Sequence, residues 1–155
     1  MDYNIRTNLK NIIRIFFSQI TELASFSIIT ALIIIIYFFD KTLSIKLCIG
    51  TIIITLIAMI IKALFFKARL KKQKTRTLIE RIDASSFPSI HSARITFLTF
   101  SIVAYSTSLI LNIFLIILGI LIAYSRIYLK KHYLSDVIAG IILGVIVSIG
   151  MVYII

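Results

Sequence analysis

Proline occurs once in these 155 residues, cysteine once, glycine five times and tryptophan never. So little proline and glycine excludes a loop-rich or all-β design, because such folds use those residues at their chain reversals. The lone cysteine, Cys48, excludes an internal disulfide, and its apolar surroundings offer no company for a metal. Acids are scarce as well: six Asp and Glu stand against seventeen Lys and Arg, a net charge of +11. Hydrocarbon fills the chain instead. Hydrophobic residues make up 60% of it, about a quarter of all residues being isoleucine, where a soluble domain is nearer half apolar. Several runs reach the roughly 20 apolar residues that one helix needs to cross a bilayer core. The chain therefore reads as all-α, a polytopic helical membrane bundle forming a single domain.

A charge of +11 raises the question of nucleic acid. The basic residues gather in short segments between apolar runs, as juxtamembrane charge does, and not over one exposed face. Membrane lipids and phosphate-bearing substrates are the expected partners, and nucleic acid is not. No small-residue cleavage site follows the first long apolar run, so no removable signal peptide is expected.

Residues 4–20 place Ile5, Leu9, Ile12, Ile13, Phe16, Phe17 and Ile20 on one helical stripe, with Arg6, Lys10, Asn11 and Arg14 opposite. That is an amphipathic helix, lying in the interface or packed on the bundle. Five spans are expected after it, at about 23–39, 44–66, 88–107, 110–128 and 136–155, with one long basic loop over 67–87. Pro88 is expected in the first turn of its helix, and Ser135 as the cap of the last. The span at 88–107 carries Ser92, Arg94, Thr96, Thr99 and Ser101, which suits the interior of the bundle and not the lipid face. Gly140, Gly144 and Ser148 recur every fourth residue on the last span, a spacing for close helix packing. It serves packing within the chain or a homo-oligomer seam through the Gly140/Gly144 face.

Only two histidines exist, and both fall at expected helix ends beside polar residues. His91 closes the run Ser85-Ser86-Phe87-Pro88-Ser89-Ile90-His91, where a helix N-terminus offers unpaired amides and a positive dipole end to an anion. His132 stands six residues after Arg126 and four before Asp136. A carboxylate at that spacing can hold one ring nitrogen and leave the other as nucleophile or base. Arg126 can grip two phosphate oxygens in a fork. Lys62 and Arg69 lie nearly two turns apart at the end of another span. In an up-and-down bundle all four places fall on one membrane face, although no local pattern required it.

Together these residues resemble the type-2 phosphatidate phosphatase superfamily, which includes lipid phosphate phosphatases and isoprenyl diphosphate phosphatases. Its signature is Lys-x6-Arg-Pro, then Pro-Ser-Gly-His, then Ser-Arg-x5-His-x3-Asp. The third motif is complete here from Ser125 to Asp136; the second reads Pro88-Ser89-Ile90-His91, and the first Lys62-x6-Arg69-Leu70. The resemblance implies that His132 attacks phosphorus to form a phosphohistidine, oriented by Asp136. It implies that His91 protonates the leaving oxygen and then activates water. Lys62, Arg69, Ser89, Arg126 and the Ile90 amide would hold the phosphate oxygens. No cofactor or metal is implied, and the sequence shows no metal-ligand cluster. Ile90 stands where the family has glycine, which would strain any positive φ there, and Leu70 stands where it has proline.

Leaving out Lys62, Arg69 and Arg126, the site side of the bundle carries twelve Lys and Arg and the other side only Lys41 and Lys46. The positive-inside rule then predicts a cytoplasmic active site. A lipid mono- or diphosphate is the expected substrate: isoprenyl diphosphate, phosphatidate or phosphatidylglycerophosphate. Two other readings stay open, a lipid phosphotransferase using the same intermediate and a non-catalytic membrane relative.

Overall fold

The computed structural model describes residues 2–68, 77, 80 and 84–154, with side chains from 7 to 151. Among these residues there are six helices: α1 (Asp2–Glu22), α2 (Phe26–Tyr37), α3 (Lys41–Leu64), α4 (Ile90–Tyr105), α5 (Leu109–Tyr128) and α6 (Leu134–Ile154). No strand occurs among them; one isolated antiparallel bridge joins Ala68 to Ser85. Three helices, α3, α5 and α6, are long and apolar enough to cross a membrane. Their outward side chains, such as Ile60, Phe114, Ile120 and Ile146, remain exposed on the isolated chain, as hydrocarbon-facing residues must.

The front of the chain differs from the sequence expectation. The span expected over 23–39 is the 12-residue α2, about 18 Å at 1.5 Å per residue and too short for a ~30 Å core. It meets that requirement only together with α1, as one pair bent by 51°. The break has a local cause, since Ser25 caps a new helix by accepting the Ile28 N–H. The amphipathic segment also joins the bundle at its far end. Phe17 packs on the rings of Tyr124 and Tyr128, at centroid distances of 5.6 and 4.6 Å.

α4 is the polar centre of the bundle. Residues 92–99 and Ser101 are buried, as their hydroxyls and Arg94 led one to expect. Phe97 enters a notch left by Gly50 of α3, where a Cβ would come within 2.1 Å of the ring. Around Phe97 gather Ile29, Leu47, Ile54, Ala93, Leu98, Val147 and Met151, the apolar core.

α6 lies directly against α4 through its glycines. A Cβ on Gly140 would stand 2.4 Å from the Ser89 carbonyl oxygen, and one on Gly144 would stand 2.5 Å from that of Ala93. This face is thus filled by α4 of the same chain, which removes it as a seam for a second copy. Both obstructing atoms are backbone, so a side chain can enter only by displacing α4. Gly144→Val is expected to destabilise the fold by about 3 kcal/mol, the upper range for overpacking. Gly150→Ala, with nothing within 4 Å of the added carbon, is expected to be neutral. Thermal unfolding in detergent compares the two.

Candidate active site

Four helix ends meet at one end of the bundle, and each is fixed locally. α4 begins with Ser89 as N-cap, accepting the Ser92 N–H at 3.4 Å. Pro88 therefore lies just outside the helix and not in its first turn. Ser89 is fully buried; its hydroxyl also accepts from Ser92 Oγ at 2.9 Å, and its amide donates to the Asp136 carbonyl at 2.9 Å. Ile90 is the first helical residue, and Lys130 alone among the described non-glycine residues has positive φ. The isoleucine in the glycine position therefore carries no backbone strain. Its amide, at the first helical position, has no acceptor within its own helix.

α5 ends in a Schellman turn. Lys131 N–H bonds the Arg126 carbonyl at 3.1 Å and Lys130 N–H bonds that of Ile127 at 2.9 Å, with Lys130 left-handed at φ 54°. This turn reverses the chain so that His132 comes back beside Arg126, its own amide 3.2 Å from the same carbonyl. α6 then starts at Leu134, one residue before Ser135, so Ser135 is not its cap. Asp136 reaches back from the first turn and accepts the Tyr133 N–H at 2.9 Å, the returning half of a capping box.

His132 is 2% exposed, and its two nitrogens face opposite kinds of partner. Nδ1 lies 2.7 Å from the Ser86 carbonyl oxygen, which can only accept. Nε2 lies 3.5 Å from Arg126 Nη2, which can only donate. The proton is thereby assigned to Nδ1 and the lone pair to Nε2. Asp136, expected to hold the ring, stands 3.9 Å from Nδ1 and is bound instead by Lys67, Nζ to Oδ1 at 2.6 Å. The nearer partner of Nδ1 is thus the Ser86 carbonyl, with Asp136 Oδ2 behind it at ion-pair distance.

The segment 84–89 supplies that carbonyl. Lys62, buried at the end of α3, donates its Nζ to the Ser85 carbonyl. Ser86 N–H donates to the Lys67 carbonyl at 2.7 Å, and Lys67 Nζ also reaches Ser135 Oγ at 2.8 Å. Arg126 is 3% exposed, its Nη1 held by Thr21 Oγ1 at 2.9 Å. His91 lies in the first turn of α4, next to Ile90. Lys62, Ser89, Ile90, His91, Arg126, His132 and Asp136 are thus brought to one end of the bundle; Arg69, with Leu70 beside it, lies outside the described residues. Lys67, the Ser86 carbonyl and Thr21 carry no role in the sequence reading. Lys67 was one cation of a basic run, and a carbonyl or a remote threonine has no sequence mark.

The buried guanidinium of Arg126 thus stands beside Nε2 of His132 at this end of the bundle. Residues 43–155 match the family model of the PAP2 superfamily. The chain belongs to the PAP2 superfamily. Among solved structures it resembles LpxE of Aquifex aeolicus, with a TM-score of 0.76 and 24% identity over 91% of this chain and 86% of that one. It also resembles the transmembrane PAP2-type phosphatidylglycerolphosphate phosphatase of Bacillus subtilis, with a TM-score of 0.73 and 22% identity over 90% and 74%. No curated protein sequence matches the chain. Its membrane-length helices and these likenesses make it a multi-pass helical membrane protein. The family match starts in α3, so α1 with its Thr21 contact to Arg126 lies outside it.

Proposed function

We propose that this chain hydrolyses the phosphate of a membrane lipid through a phosphohistidine on His132. The observation that carries the reading is the division of the His132 ring between an acceptor at Nδ1 and the Arg126 guanidinium beside Nε2. A nucleophile needs its lone pair aimed where the electrophile is held, and a guanidinium there holds phosphate oxygens.

Nε2 attacks phosphorus, the bond to the lipid oxygen breaks, and its electron pair leaves with that oxygen. His91 delivers the proton to the leaving oxygen, then takes one from the water that splits the N–P bond. Arg126, Lys62, Ser89, the Ile90 amide and Arg69 grip the phosphate oxygens and offset their charge in the transition state. Asp136, 3.9 Å from Nδ1, stabilises the positive ring of the intermediate. The chemistry needs no metal. The excess of Lys and Arg at the site end supports a cytoplasmic active site.

Purified protein in detergent, given lipid mono- and diphosphates with EDTA present, is expected to release inorganic phosphate at an undiminished rate. Activity abolished by the chelator, and restored by a divalent cation, would overturn the metal-free mechanism.

A further inference from the structure

One buried cation has no part in this mechanism. Arg94 stands three residues beyond His91, roughly 4.5 Å further along α4 and on the same stripe of the helix. It is 8% exposed. Its Nη2 donates to Thr55 Oγ1 at 2.9 Å, and its guanidinium carbon lies 5.3 Å from the centre of the Phe26 ring. Its Nε is buried and meets no hydrogen-bond acceptor. Among the described residues no carboxylate pairs with it. Thr55 precedes Lys62 by seven residues, about 10 Å along α3. Arg94 therefore lies between the phosphate grip at the helix ends and the hydrocarbon interior.

An unpaired guanidinium at that depth costs several kcal/mol unless an anion accompanies it. A lipid whose outer phosphate faces His132 and whose chain enters the membrane places at Arg94 the group joining the two. An ester linkage to an alcohol brings no charge there. A second phosphate does. Resting on the phosphohistidine reading, we propose that Arg94 holds the inner phosphate of a lipid diphosphate, so that the site selects diphosphates over monophosphates.

The step balances simply. Nε2 of His132 bonds to the outer phosphorus, and the bond from that phosphorus to the bridging oxygen breaks. The electron pair stays on the bridging oxygen, which becomes a terminal oxygen of a lipid monophosphate. Water then breaks the N–P bond and releases inorganic phosphate. Negative charge grows on the inner phosphate as the bridge breaks, so a guanidinium fixed there stabilises the transition state more than the ground state.

The test compares one isoprenyl chain carrying a diphosphate or a monophosphate, with kcat/KM from phosphate release in detergent. The native protein is expected to favour the diphosphate. Arg94→Gln should lose roughly 30-fold on the diphosphate, the scale of a hydrogen bond to a charged group, and under about 3-fold on the monophosphate. Arg94→Lys keeps the charge without the fork, and Thr55→Val frees the guanidinium; both should lower the preference by a smaller factor. These two carry the test if Arg94→Gln does not fold. Equal losses on both substrates, or no loss on the diphosphate, would overturn the assignment while leaving the phosphatase reading intact. No release from either substrate by the native protein would overturn that reading and this inference with it.

Discussion

His132→Asn is expected to lower turnover by about 10⁴-fold while leaving the fold as stable as before. The magnitude follows from removing a nucleophile whose partners act only through it. Asparagine is the informative replacement because its amide N–H can occupy the place of Nδ1–H. It keeps a donor for the Ser86 carbonyl, 2.7 Å away in the native site, and deletes only the Nε2 lone pair. A stability loss from an orphaned carbonyl is thereby kept apart from a loss of chemistry. With substrate labelled at phosphorus, rapidly quenched native protein should carry an acid-labile, alkali-stable phosphate that the variant lacks. Turnover by the variant within tenfold of native would remove His132 from the nucleophile's role.

The second large effect concerns stability. Asp136 is fully buried, and its carboxylate is held by Lys67 at 2.6 Å and by the Tyr133 amide at 2.9 Å. Lys67→Met leaves that carboxylate with the Tyr133 amide and the Ser135 hydroxyl but without its lysine. Breaking a fully buried pair from one side costs about 3–5 kcal/mol. Lys67 is 39% exposed, so water screens part of the attraction, and about 2 kcal/mol is the expected loss. Adding Asp136→Asn removes the buried charge, and the double variant should recover about half of the loss. Unfolding of the single and double variants in detergent measures the coupling. If Lys67→Met unfolds with the native protein, the pair contributes nothing to the fold.

These two residues also mark how differently parts of the site are written in the chain. His132 was legible because a histidine, an arginine six residues before it and an acid four residues after it can be read along one helix–turn–helix stretch. Lys62, Ser89, His91 and Arg126 were legible for a related reason. Each sits where an apolar run starts or stops, and alternating helices bring alternate ends to one membrane face. Lys67 was not, because a lysine opening a basic stretch looks the same whether it snorkels to water or grips a buried acid.

The sequence by itself determined the helical membrane class, the order of the helices from α3 onward and the convergence of the charged helix ends. Long apolar runs in a bilayer have few other ways to satisfy their backbone groups. Tertiary structure alone decided how His132 and Arg126 are held. A carbonyl from Ser86, forty-six residues away in sequence, orients His132, and a hydroxyl from Thr21, one hundred and five residues away, seats Arg126. The bend between α1 and α2 and the closure of the Gly140/Gly144 face by α4 were settled at the same level. Such contacts join backbone atoms and small side chains across the bundle, and neither periodicity nor motif spacing records which surfaces meet.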